Sequence, residues 1–125
     1  MTNRSKQVGT RWEGQVCAFL RAAGHTEVFR MADGGEFDAG DVGGLPGWAL
    51  ECRDRAKIDL AGDVRDAEMR AVHKNVPFAA AVIKKRRAPV ADAYVVVSLA
   101  MFTEILDEMA NARASTSEGG SRAVG

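Results

Sequence analysis

The stretch Phe37–Arg55, FDAGDVGGLPGWALECRDR, decides how this chain folds. Phe37–Val42 and Trp48–Arg53 both read as strands. Between them Gly43-Gly44-Leu45-Pro46-Gly47 is dense turn chemistry. The simplest connection makes the two strands a hairpin. Side chains alternate across a strand, so Trp48, Leu50 and Cys52 form a core face, while Ala49, Glu51 and Arg53 point the other way. That sets a carboxylate beside a guanidinium. A turn centred near Leu45-Pro46-Gly47 pairs residues whose numbers sum to about 91 or 92, which brings Asp41 opposite Glu51 or within one residue of it.

Directly opposed Cβ atoms in a sheet lie about 4.5–5.5 Å apart, and like charges there weaken the pairing. A hard divalent cation offsets that repulsion. Mg²⁺ takes one or two carboxylates, keeps several waters and draws other oxygens from a phosphate. The same two acids can equally point into water, where screening removes most of the repulsion. The composition of FDAGD is also that of a loop, which leaves Asp38 and Asp41 open to that reading.

Upstream, Val8, Trp12, Val16, Phe19, Leu20 and Ala23 recur at spacings of three and four, one face of a helix over Lys6–Ala23 that Gly24 stops. TEVFRM reads as a short strand. Downstream, Asp63–Asn75 reads as a helix capped by Asp59 or Asp63, with Val64, Ala67, Ala71 and Val72 as its apolar face and Glu68 in solvent. PFAAAVIKK is a buried central strand, and AYVVVS a second buried strand. Ser98 caps a last helix whose stripe is Leu99, Phe102, Ile105, Leu106 and Met109. Covering its own sheet is the plainer use of that stripe, and facing a partner the other. The order is α-β-β-β-α-β-β-α: an α/β domain, a mixed sheet flanked by helices, with a parallel crossover through the middle helix. The domain covers residues 1–113, and the composition of residues 114–125 reads as a disordered tail.

The chain has 125 residues, room for one domain with a real core. Lys plus Arg number 17 and Asp plus Glu number 17, so no global charge draws it to a polyanion. The distribution is uneven: residues 51–87 hold ten basic and six acidic side chains, with Lys84-Lys85-Arg86-Arg87 the densest run. Such a run is either a solvated loop or the flank of a phosphate-binding cleft. Cys17 and Cys52 lie far apart, without metal-ribbon spacing, and read as two buried thiols. No run approaches a membrane span and the start has no apolar signal core, which leads us to expect a cytoplasmic protein, of a bacterium or of a phage in its host cell. His25 and His73 make no ligand arrangement. Gly43, Gly44 and Gly47 serve the turn, and Trp12 and Trp48 the core. Arg30 ends a strand, either contacting phosphate or pairing with Glu13.

The ordered segments RWEGQV, LRAAG, VFR, DAGDV and GLPGWALECR resemble the PD-(D/E)xK nuclease superfamily, with its restriction-endonuclease-like core. They are similar in particular to the small resolvase-like endonucleases of archaea and phages, which cut four-way (Holliday) DNA junctions. The likeness spans residues 11–106. It implies a Mg²⁺- or Mn²⁺-dependent DNA endonuclease, with Asp41, Glu51 and the Cys52 carbonyl on the metal and Glu13 assisting from the first helix. Arg53 would position the nucleophilic water, and Arg30, Lys84, Lys85, Arg86 and Arg87 would bind the DNA backbone. It also implies a homodimer, since two symmetric cuts need two centres. One position departs from the pattern: Arg53 stands where the family has lysine. Arginine keeps the charge and adds donors, but its pKa above about 12 bars it from acting as a base. Lys57 is four strand residues away, about 13 Å, and Lys84 at the end of the next strand is the nearer stand-in. The competing classes are a catalytically weak nucleic-acid-binding protein on this fold, and a repair or restriction nuclease for ordinary DNA.

Overall fold

The structure, a computed structural model, describes residues 2–31 and 42–124, with side-chain surroundings for 11–31 and 42–116. The elements are α1 (Thr2–Ala22), β1 (Phe29–Arg30), β2 (Val42–Gly43), β3 (Trp48–Arg53), α2 (Leu60–Lys74), β4 (Phe78–Ile83), a 3-10 turn (Val90–Asp92), β5 (Tyr94–Val96) and α3 (Leu99–Val124). The expected order is present, with the 3-10 turn added. α3 continues through the stretch whose composition reads as a tail.

Among the described residues two small sheets form. β1 and β2 pair antiparallel, and β3-β4-β5 make a mixed sheet in which β4 is central, parallel to β3 and antiparallel to β5. The β3–α2–β4 crossover is therefore as expected. The hairpin is not, among the described residues: Val42 and Gly43 pair with Arg30 and Phe29 rather than with β3. A close crossing explains this. At Gly44, φ is +76° and an added Cβ would fall on the Glu27 carbonyl, so the chain there presses backbone to backbone against the approach to β1. The carbonyls of Val42 and Trp48 both accept from Lys74 Nζ, at 3.3 and 3.5 Å. Register arithmetic around the turn thus does not apply, and Asp41, like Asp38, lies outside the described residues.

Alternation along β3 and β4 separates two cores. On one face Leu50, Cys52, Ala80 and Val82 meet Trp12, Val16 and Cys17 of α1. Trp12 is buried, and its indole N–H donates to the Val82 carbonyl at 3.1 Å, which pins α1 to the central strand. Both cysteines are buried here, and no disulfide joins them. On the other face Ala49 and Ala79 meet Ala67 and Ala71 of α2, an all-alanine contact that lets the helix backbone approach the sheet closely.

The helix ends follow their capping residues. Gly24, at φ +115°, ends α1. Asp59 caps α2, its carboxylate accepting from the Gly62 N–H at 3.0 Å, and Asn75 closes it in the left-handed region. Ser98 caps α3 by accepting from the Met101 N–H, and its hydroxyl donates to Glu68. Glu68 is therefore tied to α3 and not simply solvated. Three apolar expectations change. Val72 is 76% exposed, β5 is an exposed edge rather than a buried strand, and Leu99, Phe102, Leu106 and Met109 of α3 face outward. α3 rests on its own domain through Met101, at the alanine cluster. No helix of the described residues is long and apolar enough to cross a membrane.

Candidate active site

On β3 the odd-numbered side chains face α2. Glu51 points there and is 3% exposed. A carboxylate that deep must be compensated. Arg53 Nη1 lies 2.8 Å from Glu51 Oε1, and Arg70 Nε lies 3.4 Å from Oε2. The side-by-side carboxylate and guanidinium expected from alternation are thus in contact.

α2 supplies the rest of the site. Asp63, Asp66 and Arg70 recur at spacings of three and four, which puts them on one helical side facing β3. Arg53 reaches Asp63 through Nε at 3.3 Å and Asp66 through Nη2 at 3.2 Å. Asp63, also buried, takes a second guanidinium from Arg55 at 3.0 Å. Three carboxylates and three guanidinium groups so form one alternating network on the α2 face. None of the α2 members was anticipated. The available signal was that their side also carries the buried Ala67 and Ala71, so charges at those positions must lie against the sheet.

Lys74, in the last turn of α2, also escaped the sequence reading. Its ammonium bridges the Val42 and Trp48 carbonyls and so ties the two arms of the Gly43–Gly47 turn together. Burial, and then repulsion from Arg70, hold its pKa below the usual lysine range, with Glu51 partly opposing. Beside this cluster a groove of about 180 Å³ is lined by Glu51, Arg53, Asp66, Met69, Arg70 and His73.

The Cys52 carbonyl accepts from Arg53 Nη1 at 3.0 Å. Glu51 Oε1 and Cys52 O, the two described oxygens that the resemblance gives to a metal, therefore converge on one cationic nitrogen. A carboxylate and a carbonyl are the donors a hard divalent cation takes. In donor chemistry they fit such an ion, and Arg53 already holds positive charge at that point. No group of three His, Cys, Asp or Glu able to hold a metal occurs among the described residues; Asp41 is not among these.

The other expected site residues divide. Glu13 pairs with Arg30 at 3.5 Å, the ion-pair alternative for Arg30, and sits on α1, which packs on the opposite face of β3. Lys84, expected near the Glu51 centre, lies on the other face of the sheet from it. The even-numbered side chains of β4 face α1, and Lys84 continues that phase, with Nζ 5.8 Å from the Trp12 ring centroid. Lys84 and Arg86 lie 3.7 and 3.4 Å from the buried Asp54 carboxylate, which anchors the basic loop. Lys85 and Arg87 are exposed on it. Comparison with protein-family models, with curated proteins and with solved structures matches this chain to none of them.

Proposed function

We propose that this protein is a divalent-metal-dependent DNA endonuclease of the structure-specific, junction-resolving kind. The observation that carries the reading is the convergence of Glu51 Oε1 and Cys52 O on a single cation position at the end of β3. Asp41, Glu51 and the Cys52 carbonyl would hold the ion. Bound Mg²⁺ or Mn²⁺ supplies Lewis acidity toward a scissile phosphate and acidifies a coordinated water. The chain's own residues do the rest. Arg53 brings fixed donors to the place where negative charge grows during phosphodiester cleavage. Arg70 and Asp63 hold Glu51 and Arg53 in orientation. Lys85 and Arg87, exposed on the anchored loop, take backbone phosphates.

A second reading turns on what fills that position. Arg53 Nη1 donates to both of these oxygens and pairs with the Glu51 charge, which favours a nucleic-acid-binding member of the fold that does not cut. One panel separates the two: labelled four-way junction, flap, duplex and single strand, each with and without Mg²⁺. The nuclease reading expects Mg²⁺-dependent cutting that Asp41→Asn and Glu51→Gln abolish, with DNA binding unchanged or tighter because a repelling charge is gone. Binding without cutting of any substrate selects the second reading. Equal cutting of junction and duplex removes the junction preference and leaves a general nuclease.

A further inference from the structure

Arg53 Nη1 lies 2.8 Å from Glu51 Oε1 and 3.0 Å from the Cys52 carbonyl oxygen. Mg²⁺ lies about 2.0–2.1 Å from each oxygen it binds, so an ion on these two oxygens and the guanidinium nitrogen exclude one another. A displaced guanidinium must find another partner, because the Arg53 side chain is only 16% exposed and an unpaired charge at that depth is costly. On the divalent-ion reading of the Glu51 centre, on which this rests, we propose that Asp66 is the positioning residue that receives Arg53 and so opens Glu51 Oε1 and the Cys52 carbonyl to the ion.

The contact with Asp66 already exists. Arg53 Nη2 donates to Asp66 Oδ2 at 3.2 Å while Nη1 faces Glu51. The guanidinium is a rigid planar fork, so it can pivot about Nη2 and keep this bond as Nη1 withdraws. Asp66 also has capacity to spare. Its side chain is 44% exposed, and its contact with Arg65 is 4.0 Å long, a solvent-screened surface pair. Asp63 is the poorer receiver, being buried and already taking Arg55 at 3.0 Å. Room for the movement lies beside the centre, in the groove of about 180 Å³ that Asp66 and Met69 help to line. Met69 is unbranched and 54% exposed, so it yields readily.

Glu51 is not left bare by the exchange. Arg70 Nε lies 3.4 Å from Oε2, the other oxygen of the carboxylate, and stays there. Asp66 and Arg70 are one turn apart on the side of α2 that faces β3. One helix side therefore holds both the receiver of Arg53 and the cation that remains on Glu51. Arg53 is paired in either state, with Glu51 and Asp66 before the ion enters and with Asp66 after.

The test is Mn²⁺ binding by the full-length protein without DNA, read as free Mn²⁺ by electron paramagnetic resonance on samples whose circular dichroism is native. Wild type should bind the ion, and Glu51→Gln should abolish that binding. Asp66→Asn should weaken it about tenfold, a coupling of ordinary size within one charge network. In an Arg53→Gln background Asp66→Asn should have no effect, because no guanidinium remains to be received. If Arg53→Gln does not fold, Arg53→Lys takes its place, since a single ammonium lacks the second arm of the fork. Glu51-dependent binding that Asp66→Asn leaves unchanged overturns the proposal. So does a loss that persists in the Arg53 variant, since Asp66 then acts on the ion directly. The nuclease reading survives both of those outcomes. No Mn²⁺ binding, or binding indifferent to Glu51→Gln, overturns the divalent-ion reading and the role of Asp66 with it.

Discussion

Arg53 Nη1 sits 2.8 Å from Glu51 Oε1, two residues back on the same strand, and the same nitrogen is 3.0 Å from the carbonyl oxygen between them. One guanidinium thus closes over the end of β3 while its other nitrogens reach Asp63 and Asp66 on α2. It couples the strand to the helix and fills the space between Glu51 Oε1 and the Cys52 carbonyl.

Arg53→Ala and Arg53→Lys should separate those two roles. Arg53→Ala leaves the buried Glu51 and Asp63 each short of a partner, and should cost about 3 kcal/mol in urea unfolding. It should also lower cleavage on the order of 10²-fold. Arg53→Lys restores one cation without the fork that spans three carboxylates, so stability falls by less and cleavage is retained or raised. Equal cleavage by Arg53→Ala and wild type would remove the residue from the chemistry.

Lys74 makes stability depend on alkaline pH. Its folded pKa lies below the reference value of 10.5, so between the two values the unfolded chain binds more protons than the folded one. The penalty for burying the cation is complete below the folded pKa and is relieved as pH rises toward 10.5. Wild type should therefore gain melting temperature relative to Lys74→Met as pH climbs through that window. A difference constant with pH would show that the ammonium is not held against its solvation.

Ala67, fully buried, sets the spacing between α2 and the sheet, against Ala49 and Ala79. Ala67→Leu forces three methylene-sized groups into a contact with no room and should cost about 1–3 kcal/mol. The helix would move with Asp63, Asp66 and Arg70 on it. Cleavage should then fall by more than the loss of folded protein explains, measured on samples matched for folded fraction.

Lys85→Ala and Arg87→Ala should weaken DNA binding across all sequences. Removing a cation that neutralises one phosphate makes the slope of log affinity against log salt shallower by about 0.9 for duplex DNA. Lys84→Ala and Arg86→Ala should behave differently, because these side chains anchor the loop to Asp54. An unchanged salt slope in Lys85→Ala/Arg87→Ala would take the loop out of the DNA interface.

Much of this molecule was legible in local pattern. Alternation along Trp48–Arg53 predicts Glu51 and Arg53 on one face, and they touch. Asp59, Ser98 and Gly24 mark helix ends because capping is chemistry within one turn. The α2 network was less legible. Asp63, Asp66 and Arg70 look like ordinary surface charges until the alanines on the same side of the helix are known to lie against β3 and β4.

What the sequence determined by itself was the element order, the crossover through α2, the two buried thiols, and the pairing of Glu51 with Arg53. The element order and the Glu51–Arg53 face follow from periods of 2 and 3.6 that the backbone imposes, the crossover from the way parallel strands must be joined, and the thiols from the lack of metal-ligand spacing. Tertiary structure alone decided that β2 pairs with β1, that Lys84 lies across the sheet from Glu51, and that, among the described residues, β5 is an outer strand and the α3 stripe is exposed. Those outcomes depend on which distant segments compete for the same backbone groups and the same apolar faces. A local period says which side of an element is apolar, but not what will cover it.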